Sequence, residues 1–133
     1  MHDPATAIYY GNTTEYRTPA YLGDEVSARL ASIKDAADEQ YGLVHRYAAD
    51  SLRALSQDHD QPTVARYRAA QSANAMAVAH YYHQMAQGLV AWAMGQGADV
   101  DRYTRVTATV HRTAADAAAM YQRFLEVYRS RVA

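Results

Sequence analysis

Twelve of the thirteen basic side chains in this sequence are arginine, and Lys34 is the one lysine. Toward the C-terminus, Arg102, Arg105, Arg112, Arg123 and Arg131 fall within an arc of about 100° if the segment is helical. The apolar residues Tyr103, Val106, Val110, Ala117, Tyr121, Phe124, Tyr128 and Val132 occupy a different side of that helix, roughly a third of a turn or more away. Arginine grips phosphate or carboxylate through a planar fork of donors, so this pattern predicts one packing face and one anion-binding face. Asp116 and Glu126 lie in or beside the arc and offset part of its charge. Arg66 and Arg68, near the start of the preceding helix, extend the set.

The remaining candidates are weaker. His80 and His83 are three apart on one predicted helix and have the spacing of metal ligands, with His45 or His111 available from other helices. The paired Glu and Glu-x-x-His patterns of di-iron bundles are missing, so no metal and no cofactor is assigned. Asp35, Asp38 and Glu39 crowd together on a face that a bundle turns to water. No nucleophile-and-base pattern or phosphate loop occurs, and Gly95-x-Gly97 looks like a helix stop. Catalytic residues are therefore assigned to none, and the chain is not read as an enzyme. There is no cysteine, which removes disulfides and thiol chemistry.

These residues are positioned by a chain of 133 residues, enough for one core and one domain. The expected fold class is all-α: three long antiparallel helices, over about 25–57, 62–94 and 100–132, behind an extended N-terminal arm over 1–23. In the first helix Val26, Leu30, Ile33, Ala37, Tyr41, Val44, Ala48, Leu52 and Leu55 form an apolar stripe, and Asp24 after Gly23 suits an N-cap. Its far side carries Glu25, Asp35, Glu39, Arg46, Asp50 and Arg53, with an Arg46–Asp50 pair expected. Pro62 opens the second helix. There Val64, Tyr67, Val78, Tyr82, Met85, Leu89 and Trp92 are the expected core. The back carries Ala69, Ala73, Met76, Ala77, His80, Gln84, Gln87, Ala91 and Met94, too weakly polar for a solvated face, which predicts a partner surface. Asp99 or Asp101 then caps the third helix.

Net charge is −1, so the chain is not a generally basic nucleic-acid binder, and any such role must come from local patterning. No stretch is long and apolar enough to span a membrane, and Met1-His2-Asp3-Pro4 does not resemble a signal peptide. Twelve tyrosines stand against one phenylalanine and one tryptophan, a usage suited to interfaces. Tyr9, Tyr10, Tyr16 and Tyr21 lie in the predicted arm.

An N-terminal arm, long antiparallel helices, a two-sided helix pair and arginine as almost the sole cation together resemble the small helical coat proteins of filamentous and rod-shaped viruses of hyperthermophilic archaea. That resemblance implies a structural subunit of a helical nucleoprotein filament, located in the virion, that self-associates around double-stranded DNA without reading sequence. It implies phosphate contact by Arg66, Arg68, Arg102, Arg105, Arg112 and Arg123, and a second, more basic coat subunit to make up the missing charge. Tyr9, Tyr10, Tyr16 and Tyr21, with Met76, His80, Gln84 and Gln87, are the expected subunit interface. Two alternatives stay open. One is a cytoplasmic oligomeric scaffold or adaptor without nucleic acid. The other is a metal- or ligand-binding bundle using His80, His83, His111 and the tyrosine-rich core.

Overall fold

A computed structural model describes residues 19–133, with side chains from Gly23 onward. The expectations for the arm over residues 1–18, and for the side chain of Tyr21, lie outside the described residues. Three long helices follow: α1 over Pro19–Ala54, α2 over Pro62–Gly95 and α3 over Thr104–Val132. A short 3-10 turn over Val100–Tyr103 leads into α3. At 1.5 Å per residue the helices are about 54, 51 and 44 Å long, and they pack against one another as an all-α bundle.

The punctuation between helices follows from local chemistry. Pro62 occupies the first turn of α2, where its missing N–H costs no hydrogen bond. At the other end Gly97 adopts φ +85°. Ala98 N–H donates to the Ala93 carbonyl (3.0 Å) and Gly97 N–H to the Met94 carbonyl (3.1 Å), the paired bonds that close a helix around a left-handed glycine. Asp99 accepts from the Asp101 N–H at 3.1 Å and so caps the short 3-10 turn, while α3 itself begins after Tyr103 with no side-chain cap, so neither Asp99 nor Asp101 caps that helix.

Two boundaries of α1 differ from expectation. The helix starts at Pro19, so 19–23 belong to it and not to an arm, and Asp24 lies inside it. Gly23 is a close-approach position: a Cβ there would collide with the Arg102 guanidinium, and Tyr103 Oη donates to the Gly23 carbonyl at 3.4 Å. The helix also ends at Ala54, earlier than 57. Gln61 N–H reaches back to the Ala54 carbonyl (2.7 Å), and Asp60 turns the chain at φ 46°.

The α1–α2 seam has a regular register. Ser51 Oγ donates to the Ala65 carbonyl (2.7 Å), and Ser72 Oγ donates to the Val44 carbonyl (2.9 Å). These bonds tie antiparallel neighbours at points seven residues apart on each helix. Continuing in the same steps brings Ala37 opposite Ala79, Leu30 opposite Ala86 and Gly23 opposite Ala93. Every one of these residues is buried. A seven-residue repeat is the period that keeps a seam between two supercoiled helices in contact. On the α2 side that repeat is Ala65, Ser72, Ala79, Ala86 and Ala93, all small, which allows a close approach of backbones.

This corrects the expected core of α2. Val64 and Tyr67 are exposed, at 41% and 61%. Val78, Tyr82, Met85 and Trp92 are half-buried along the flanks, and of the expected stripe Leu89 alone is fully buried. Ala69, expected on the back, is buried against Phe124 in one cluster with Ala48. The physical reason is steric: where two helices touch closely, the small side chains take the contact line and the large ones are displaced beside it.

Third in the bundle, α3 lies against both partners. Tyr103, Val110, Ala117 and Phe124, again seven apart, are buried, while Val132 at the end of the expected stripe is half exposed. The centre of the molecule is the meeting of all three helices at Val44, Ala75, Ala79 and Ala117.

Candidate nucleic-acid interface

The fold divides the six expected phosphate contacts into two kinds. Arg102 is engaged: its Nη2 donates to Asp24 Oδ1 at 3.2 Å, and its guanidinium lies 5.9 Å from the Tyr103 ring centroid. Arg68 is half-buried. It donates to Gln71 Oε1 at 2.6 Å and lies against the rings of Tyr47 and Tyr67, at 6.0 and 5.6 Å. Arg66, Arg105, Arg112 and Arg123 are exposed and make no ion pair among the described residues.

Three of those free arginines are on one line of α3. Arg105, Arg112 and Arg123 are separated by about 10 and 16 Å along the axis and by about 20° around it. Between them the exposed positions include Ala108, Ala115 and Ala119, small enough for a polyanion backbone to come close, with Asp116 the interposed acid. Arg66 is on a different helix, on the same seven-residue line of α2 as Ala73, His80, Gln87 and Met94.

Charge is unevenly distributed over the helices. Within α3, five arginines stand against Asp116 and Glu126, a net +3. Within α2, Arg66 and Arg68 stand against no acid. In α1, Asp24, Glu25, Asp35, Asp38, Glu39 and Asp50 outnumber Arg29, Lys34, Arg46 and Arg53. The near-zero total conceals a basic α2–α3 side and an acidic α1. The acids are also partly committed: Lys34 Nζ donates to Asp38 Oδ2 at 2.9 Å, and that hydrogen bond and charge hold the ammonium pKa above its usual value. Thr113 Oγ1 of α3 donates to Asp38 Oδ1 at 3.1 Å. Asp50 pairs with Arg53 at 3.2 Å, not with Arg46, whose guanidinium lies 5.7 Å from the Tyr47 ring centroid. Helical spacing permits either partner, and Asp50 takes Arg53.

The outer face of α2 is uncharged. From Ala69 to Ala98 the sequence has no Asp, Glu, Lys or Arg. Ala70, Asn74, Ala77, Tyr81, Gln84, Gly88 and Ala91 are exposed along it at three- and four-residue steps. Of the expected interface residues, His80, Gln84 and Gln87 are exposed, whereas Met76 is half-buried and packs into the central cluster. Tyr81 (42% exposed) and Tyr67 were missed by the sequence reading. For Tyr81 the signal was present in its three-and-four spacing from Ala77 and Gln84; Tyr67 was credited to the core.

At the α2–α3 seam His83 Nε2 and His111 Nδ1 are 3.3 Å apart, and His80 lies one turn from His83 with ring centroids 6.2 Å apart. Desolvation, then the charges of His111 and His80, lower the His83 pKa. Tyr103 is shifted the other way, its pKa raised chiefly by burial. A Ser56 Oγ···His59 Nδ1 contact at 3.0 Å has the residue types of a nucleophile and base. It sits in the exposed α1–α2 turn, and no third group orients the imidazole among the described residues.

Comparison with protein-family models, curated proteins and solved structures found no match to this chain. No helix among the described residues is long and apolar enough to cross a membrane.

Proposed function

We propose that this protein is a structural subunit of a helical nucleoprotein filament, of virion-coat type, that packs against double-stranded DNA through α3 and against further subunits through α2. The observation that carries the reading is the row Arg105, Arg112 and Arg123, unpaired and exposed on a helix of net +3. Arginines so placed contact phosphates and leave base edges unread, so the protein coats without selecting. The uncharged outer face of α2 supports self-association, since a 34-residue helix facing water for its whole length ordinarily carries charge there. A second, more basic subunit fits the overall charge of −1. In this reading the chain has no catalytic role.

The test is the salt dependence of duplex binding. Three phosphate contacts predict that log K falls with log[salt] with a slope contribution of about −2.7. The triple variant Arg105→Ala/Arg112→Ala/Arg123→Ala should lose that much slope while keeping its helical content. Binding indifferent to salt, or a variant that binds as the parent does, removes α3 as the contact surface.

One observation favours a second reading, a filament or oligomer without nucleic acid. The acidic face of α1 and the basic row of α3 are complementary between copies, and α2 needs only protein to cover it. Electron microscopy of nuclease-treated material separates the two: assemblies that persist without protected nucleic acid support the scaffold.

A further inference from the structure

His83 on α2 and His111 on α3 face each other with ring nitrogens 3.3 Å apart and ring planes inclined at 55°. That distance is at the long end for a hydrogen bond from a ring N–H. It is the separation of two ligand atoms on a tetrahedral ion with bonds of about 2.0–2.1 Å, which works out at about 3.3 Å. The two nitrogens belong to different helices, so an ion held between them would join α2 to α3.

We infer that His83 Nε2 and His111 Nδ1 form a two-imidazole site for a borderline divalent transition ion, of which Zn²⁺ is the type. Imidazole suits Zn²⁺, Cu²⁺ and Ni²⁺, and excludes Mg²⁺ and Ca²⁺, which take oxygen ligands. Both nitrogens present lone pairs when each ring carries its proton on the other nitrogen, His83 on Nδ1 and His111 on Nε2. Reaching that pair of tautomers moves one proton within the neutral pair and releases none.

The surroundings set how the ion would be held. The pair opens onto a groove between α2 and α3 that also has Gln87, Val90, Thr104 and Thr107 in its lining. Gln87, one turn beyond His83, brings a neutral amide oxygen to the same groove, and no carboxylate lines it. Among the described residues no third His, Cys, Asp or Glu joins the pair in a metal-binding group. The ion therefore keeps positions for water or for a donor from another molecule. An open site of this kind binds more weakly than a closed four-ligand one.

The test is a calorimetric titration of the untagged, chelator-treated protein with ZnCl₂ alone, repeated on variants. We expect one saturable equivalent with Kd in the micromolar range, a rise in Tm of about 5 °C at roughly ten times Kd, and weakening as pH falls below 6. His83→Ala and His111→Ala should each weaken binding at least about tenfold. His59→Ala, in the distant α1–α2 turn, should bind as the parent does. Circular dichroism shows whether each variant remains folded, and Co²⁺ in place of Zn²⁺ reports tetrahedral geometry through the intensity of its visible bands. No saturable heat at about 1 mM Zn²⁺, a Kd weaker than the range this chemistry supports, overturns the proposal. So does a folded His83→Ala/His111→Ala double variant that binds as tightly as the parent.

Discussion

Replacing Ala79 by leucine probes the closeness of the three helices more directly than any other single change. Ala79 is fully buried and belongs to the cluster of Val44 from α1 and Ala117 from α3. The seven-residue register of the α1–α2 seam sets it opposite Ala37, which is also fully buried. Leucine adds three carbon atoms at a point enclosed from three sides. In a seam with slack, those carbons would gain roughly 2 kcal/mol from burial, at about 0.8 kcal/mol per methylene. In a closed seam they force the backbones apart at a cost of about 1–3 kcal/mol, and enclosure by all three helices puts Ala79→Leu at the upper end. The two cases differ in sign. We expect the midpoint of thermal unfolding, followed by circular dichroism, to fall by roughly 10 °C. Ala77→Leu, two residues earlier on the exposed face, should leave the isolated subunit within about 0.5 kcal/mol of the parent, while interfering with assembly if α2 is the subunit interface. An Ala79→Leu protein that melts at or above the parent temperature would refute the close-packed seam and restore the larger residues of α2 as its core.

Two other perturbations follow from the same geometry. Ser72→Ala removes the hydroxyl bond to the Val44 carbonyl (2.9 Å) but leaves a side chain of fitting size, so urea unfolding should show a loss of about 1 kcal/mol. Ser51→Ala should cost a similar amount, and the double variant about the sum, because the two bonds are roughly 10 Å apart; unchanged midpoints in all three would mean the serines do not set the register. Acidification should also destabilise the fold: with the His83 pKa depressed below 6.5 by burial, His111 and His80, the unfolded chain takes up that proton first as pH falls. Stability present above about pH 6.5 is therefore lost on the way down through the lower folded-state pKa. Tm measured from pH 7.5 to 5 should fall, and His83→Gln should flatten part of that slope; an identical slope in the variant would exclude His83 as its source.

Much of the architecture was legible along the chain. Pro62 and Gly97 act through their own backbone chemistry, and the structure bears out the one as a start and the other as a stop. The α1 stripe from Val26 to Ala48 was equally readable, because its large apolar residues recur at three and four and have no competing pattern. Misreadings arose where a local signal had a distant cause. Asp24 after Gly23 has the look of a helix cap, yet the helix runs through both, and Gly23 makes room for Arg102 and Tyr103, about 80 residues on. Val64 and Tyr67 have more apolar surface to bury than Ala65 and Ala69, yet the alanines are buried.

The candidate interface divides in the same way. The sequence by itself determined that nearly all the cations are arginines, that most of those in α3 follow one side of it, and that a long stretch of α2 carries no charge. These are properties of residue type and helical period, and they hold whatever the helices pack against. Only the tertiary structure decided which arginines remain free: Arg102 is taken by Asp24 and Arg68 by Gln71, Tyr47 and Tyr67, while Arg105, Arg112 and Arg123 are left to solvent. It also brought His83 and His111 together across the α2–α3 seam. Periodicity reports which residues share a face. Which face is covered, and by whom, is set by the distance and register of a partner helix, and those depend on side chains far away in the chain.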